Sequence, residues 1–136
     1  MNGPEYKLEH FGVYQAKTEG NSMLPLMKKG TVVIIKKPTG ALRKYDVVLY
    51  RRGDHYTLHR IICKKRNSLV ICGDNRLFVE KDIREKDILG VLVGFYDGTA
   101  FVDCNDMDYR KRVKKICRTN RIRRIKYRLK RFITVR

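Results

Sequence analysis

The sequence has no apolar run approaching the roughly 18 residues that a membrane span requires, so a transmembrane helix is not expected. Met1 to Phe11 contains no apolar core of the kind a secretory signal needs, and the expectation is a chain without an export leader. The four cysteines, Cys63, Cys72, Cys104 and Cys117, show no CxxC spacing and have no neighbouring His pair. Zinc, or any other cofactor, is therefore not expected, and the thiols should be reduced. Neither an internal repeat nor a low-complexity linker is present. Acidic residues are absent after Asp108.

That last absence divides the chain. All 14 acids lie in residues 1–108, beside 18 of the 32 Lys and Arg, whereas residues 109–136 hold the other 14 cations. The reading is a nearly neutral domain over residues 1–104 followed by a basic tail over 105–136. Hydrophobic residues make up 43% of the chain, enough to give the body a packed core.

The body's apolar segments are short and β-branched. Val32–Ile35, Val47–Tyr50, Tyr56–Lys64, Leu69–Cys72, Ile88–Phe95 and Ala100–Val102 are separated by Gly, Pro, Asn and Asp. These six segments predict a mostly β domain. Asp97-Gly98 is a good hairpin turn. A two-residue loop at Asn67-Ser68 would set Cys63 opposite Cys72 and Ile61 opposite Asp74, with His59 and Asp74 as diagonal neighbours on one face. Paired in this way, the two cysteines would form a disulfide only under oxidation. A slip of one residue would put His59 and Asp74 on opposite faces.

Three residue types point to chemistry. Ser22 lies in Gly20-Asn21-Ser22-Met23-Leu24-Pro25, where a permissive Gly and a stiff Pro hold a serine between them. A nucleophilic serine needs a rigid turn of this kind, with its own N–H available to an oxyanion; a loop serine that satisfies the backbone is the plainer reading. His59 sits mid-strand, where a partly buried neutral imidazole is a competent base, or simply a satisfied core histidine. Asp74, from the register above, is narrowly preferred as the group that orients the imidazole. Glu80 and Asp82 are its rivals, and Asp74 also suits a turn in Gly73-Asp74-Asn75. His10 and His55 fall in polar, turn-like contexts and are read as exposed.

In order, these segments resemble a known superfamily. Gly20–Pro25 resembles the serine box of type I signal peptidases and their LexA-like relatives. Tyr45-Asp46-Val47-Val48-Leu49-Tyr50 resembles the strand that follows it, with Tyr45 where Gly is usual. Leu58-His59-Arg60-Ile61-Ile62 resembles the general-base box, Cys72-Gly73-Asp74-Asn75 the GDN box, and Asp87–Val91 its usual sequel. The resemblance covers roughly residues 15–96. It implies coiled β-sheets around a shallow groove for an extended peptide, Ser22 as nucleophile, and His59 where bacterial signal peptidases carry a Lys, giving a Ser–His dyad. It also implies an assisting carboxylate near the GDN box. Gly20 takes a position where some members place a second Ser.

The chain also departs from the pattern. The 21 residues that precede Ser22 form a largely polar stretch where signal peptidases have a membrane anchor. A repressor's DNA-binding domain is therefore not expected, and with no Ala-Gly or Cys-Gly bond upstream of Ser22 neither is self-cleavage. The expectation is a serine endopeptidase that cleaves an extended peptide or a leader- or signal-like segment through a Ser–His dyad, cytoplasmic, with the membrane surface as a further place for it. A catalytically silent peptide-binding module and a DNA-associated regulator are the alternatives.

The tail reads as two amphipathic helices that break at Thr119-Asn120, the first capped by Asn105 or Asp106. Tyr109, Val113, Ile116 and Cys117 form one stripe, and Ile122, Ile125, Leu129, Phe132 and Ile133 form a second, rotated by about 150°. An apolar stripe within a dense cationic face suits an anionic membrane surface. Nucleic acid needs the charge but not the stripe, and base-reading Asn and Gln are scarce. Packing of both stripes on the domain is the third reading.

Overall fold

The computed structural model describes residues 3–134, with side chains to residue 131. A two-turn helix, Pro4–Phe11 (α1), ends at Gly12, whose positive φ lets its N–H reach back to the Leu8 carbonyl. Strands follow at Val13–Lys17 (β1), Val32–Lys36 (β2), Val47–Arg52 (β3), His55–Lys64 (β4), Leu69–Cys72 (β5), Glu80–Ile83 (β6), Ile88–Tyr96 (β7) and Phe101–Asp103 (β8). A final helix runs over Met107–Thr134 (α2).

The strands form one antiparallel sheet in the order β1-β2-β7-β3-β4-β5-β6, with β8 beside β7. The long β7 pairs with β3 through its first residues and with β2 through its last. Register shifts interrupt the pairings of β2 with β7, β3 with β7 and β4 with β5. Bulges of this kind bend strands and increase twist, so the sheet coils rather than lying flat. The expected mostly β architecture with a helical C-terminus is what forms.

Coiling gives the sheet two cores. Val47 and Leu49 of β3 join Val33, Ile35, Leu92 and Phe95 in one, and Val48 and Tyr50 join Ile61, Leu69, Ile71 and Ile88 in the other. Alternation along β3 thus buries both faces, which is why its sequence is continuously apolar.

Two local expectations need correction. The β4–β5 hairpin turns at Arg66-Asn67, with the Lys65 N–H on the Ser68 carbonyl, and the ladder bulges between Ile61 and Cys63. Cys63 therefore opposes Val70, and Cys72 opposes Arg60. The predicted facing of Cys63 and Cys72 does not occur; Cys63 is exposed and Cys72 buried.

The tail does not break at Asn120, because α2 is one helix of 28 residues. Asp106 caps it by accepting the Tyr109 N–H at 3.3 Å. Asn120, expected to re-cap a second helix, is buried and donates its side-chain amide to the Asp74 carbonyl. Tyr109, Val113 and Cys117 belong to the first core, so the first half of α2 packs as part of the body. Each large side chain buried this way stabilises the fold by about 1.5–3 kcal/mol. Of the second stripe, Ile122, Ile125 and Leu129 are exposed. The side chains of Phe132 and Ile133 lie outside the described residues.

Candidate active site

The turn carrying Ser22 is fixed from beneath. Met23, Leu26 and Met27 are buried in the first core, and the Leu24 and Met27 N–H groups close short turns onto Asn21 and Met23. The Leu24–Pro25 bond is cis. From the side, the loop after β5 clamps the same turn: the Asn75 N–H donates to the Ser22 carbonyl at 2.7 Å and the Asn75 side chain to the Asn21 carbonyl at 3.2 Å. Ser22 itself stays partly exposed at the wall of a cleft of about 1050 Å³.

His59 reaches this cleft from β4. Its side chain is 12% exposed. Nδ1 lies 3.3 Å from the Tyr50 hydroxyl and 3.5 Å from Glu80 Oε1. The Tyr50 hydroxyl donates to the same Glu80 oxygen at 2.6 Å, and Arg52 donates to it at 3.2 Å. Burial, and then the Glu80 acceptor, push the Tyr50 phenol far above its usual range, so it remains a donor. A proton on Nδ1 thus faces Tyr50 and Glu80, leaving the Nε2 lone pair for the other side of the ring.

Gly73 shows what lies on that other side. A Cβ placed there would come within 2.7 Å of the Ser22 carbonyl oxygen and 3.1 Å of His59 Nε2. The serine turn and the His59 imidazole therefore approach each other across Gly73, which has no side chain to hold them apart. The Gly73-Asp74-Asn75 box is visible in the sequence, but the close approach at Gly73 depends on tertiary contacts that leave no local signal.

Burial lowers the His59 pKa from the usual 6.5; the Glu80 carboxylate opposes that shift, and Arg76 adds to it. The ring is therefore neutral at neutral pH. The unfolded chain takes up the proton more readily, so this group's contribution to stability is full above pH 6.5 and is lost as pH falls through the lower folded value.

The carboxylates separate by role. Glu80 stands beside His59, brought there by pairing of β6 with Ile71 of β5. Asp82 is exposed, with a left-handed backbone. Asp74 points into the protein, where both of its oxygens accept from Arg60 at 2.8 Å. The corrected hairpin register explains the difference. Asp74 lies beyond the end of β5, and Arg60, adjacent to His59 on β4, faces the interior while His59 faces the cleft. Arg60 also donates to the carbonyl of Tyr45, whose backbone is left-handed (φ 79°), the conformation that favours Gly. An Arg inside the apolar run Leu58–Ile62 was the available sign of a buried partner.

These elements define an antiparallel β protein that holds a serine turn and a neutral histidine at one cleft. The Peptidase S24-like family model matches residues 4–93, from α1 into β7, and the chain belongs to that family. No curated protein matches the chain. The matched segment contains Ser22, His59, Gly73–Asn75 and Glu80 and ends before α2. No helix among the described residues is long and apolar enough to cross a membrane.

Proposed function

We propose that this protein is a serine endopeptidase that cuts an extended peptide. The observation that carries the reading is the orientation of His59, with Nδ1 held by Tyr50 and Glu80 and Nε2 turned toward the serine turn across Gly73. Ser22 Oγ attacks the scissile carbonyl carbon while Nε2 takes its proton. The tetrahedral intermediate collapses as the imidazolium returns that proton to the leaving amine. Water then repeats the sequence on the acyl-Ser22 ester and releases the new carboxyl terminus. Glu80 and Tyr50 fix the tautomer and stabilise the imidazolium, the role a triad carboxylate has. Glu80 therefore replaces Asp74 in the assignment.

The substrate enters as a strand. β1 ends the sheet and leaves one edge unpaired, and β4 is paired by β5 only from Arg60 onward. The cleft lies between residues 16–19, next to the free edge of β1, and residues 55–59 of β4, so main-chain hydrogen bonds can hold a peptide with little side-chain demand. Ala16 and Leu58 are partly exposed in the wall of the cleft, where they favour small or apolar side chains on the bound segment.

A serine-directed acylating probe tests the reading. It is expected to label the full chain at Ser22 and to fail on Ser22→Ala and His59→Ala variants of unchanged circular dichroism. A folded parent chain that resists labelling yet binds peptides would instead be a silent peptide-binding module. The pH profile is a second check. The acid limb of kcat/KM should fall below pH 6.5, and Glu80→Gln should move it lower still, because the charge that supports the imidazolium is removed. An upward shift in Glu80→Gln would contradict the assigned pairing.

A further inference from the structure

We infer that the outer face of α2 docks this protein on an anionic membrane surface. The inference rests on the helix alone and not on the chemistry of the cleft.

The helix has two opposed faces. Tyr109, Val113, Cys117 and Asn120 are buried against the body, and Tyr127 continues that face by packing its ring on Phe78. Ile122, Ile125 and Leu129 are 47%, 46% and 58% exposed. At 3.6 residues per turn their mean direction is roughly 170° from that of Asn120, Arg124 and Tyr127. The apolar stripe therefore points away from the domain and cannot fold back onto it while the inner face stays docked.

Charge identifies the partner. Arg121 and Arg128 flank the stripe on one side, with Arg123 and Lys126 on the other, and all four are exposed. Residues 109–136 carry 14 Lys and Arg and no acid. A second copy laid on this face would bring two cationic rows together. A nucleic acid would engage the rows and leave the stripe in water. An anionic bilayer satisfies both, with the stripe entering the acyl boundary and the rows meeting headgroups.

The inner face gives docking a consequence for the cleft. Asn120 holds the Asp74 carbonyl and Tyr127 packs on Phe78, which lines the cleft. The loop that clamps the serine turn is therefore fastened to the helix that meets the membrane, so the cleft is held at a set position relative to the surface.

Vesicle flotation tests this. The full chain is mixed with vesicles of phosphatidylglycerol and phosphatidylcholine in equal parts, and separately with phosphatidylcholine alone. It should float with the first and not the second, and less well as sodium chloride rises. An Ile122→Ser, Ile125→Ser, Leu129→Ser triple variant, altered only at exposed positions, should keep its helical signal and lose partitioning by on the order of tenfold or more. Ser22→Ala should float like the parent, which separates failure of docking from failure of catalysis. Equal flotation of the triple variant would overturn the inference. So would absence of flotation combined with tight duplex DNA binding, or with a dimer that the triple variant dissolves.

Discussion

Asp74→Ala is expected to lower the melting temperature by roughly 10–20 °C, corresponding to about 3–5 kcal/mol. The Arg60 and Asp74 side chains are 0% and 3% exposed, and Arg60 is joined to both Asp74 oxygens. Removing the carboxylate strands a guanidinium in the interior, and that uncompensated charge sets the cost. Typical domains hold only about 5–15 kcal/mol in total, so the loss would be a large share of the whole. Replacing both partners, as Arg60→Met with Asp74→Leu, should recover part of the loss, since an apolar pair leaves no buried charge. Recovery stays incomplete because the Tyr45 carbonyl loses its donor. Glu80→Gln, at a partly exposed site, should change stability by about 1 kcal/mol or less while lowering activity. Thermal melts of these three variants beside the parent decide the matter. If Asp74→Ala melts like the parent, the buried ion pair is not what holds this loop.

Gly73→Ala is expected to reduce kcat/KM for peptide cleavage by about a hundredfold in a protein that still folds. The added methyl has no room, with the Ser22 carbonyl at 2.7 Å, the Arg76 side chain at 2.9 Å and His59 Nε2 at 3.1 Å. Arg76 is flexible and can move. The Ser22 carbonyl is backbone held by the Asn75 N–H, and the imidazole is held by Tyr50 and Glu80. Whichever yields, the proposed nucleophile and its proposed base separate, and a displacement near 1 Å can cost about 10²-fold. Overpacking itself should cost only about 1–3 kcal/mol. Steady-state kinetics beside a thermal melt distinguish a displaced site from an unfolded one. Full activity in Gly73→Ala would mean that the chemistry does not pass through this gap.

Much of the fold was legible because the strands announce themselves locally. All six apolar runs became strands, and β3, buried on both faces, was the plainest of them. The elements missed are those whose residues carry little local signal. β1 is a half-exposed edge strand, β6 is four residues with three charges, and α1 buries only Pro4 and Leu8. Ser22 and His59 stood out because a stiff Gly–Pro turn and a mid-strand imidazole are uncommon. The carboxylate that stands beside His59 could not be picked out in the same way. It depended on a hairpin register, and a bulge near Ile62 changes register without leaving a mark in composition. The break expected at Asn120 failed for a tertiary reason: a good capping residue continues the helix when its amide has a buried carbonyl to meet.

The unbroken course of α2 constrains how the chain can be shortened. A cut at residue 104 or 108 would remove Tyr109, Val113 and Cys117 from the principal core and leave the Asp74 carbonyl without the Asn120 amide. Such a fragment would report on a damaged interior rather than on a missing appendage. Dissecting this molecule therefore calls for substitutions along one side of a rod, because no boundary in the sequence separates what braces the centre from what faces outward.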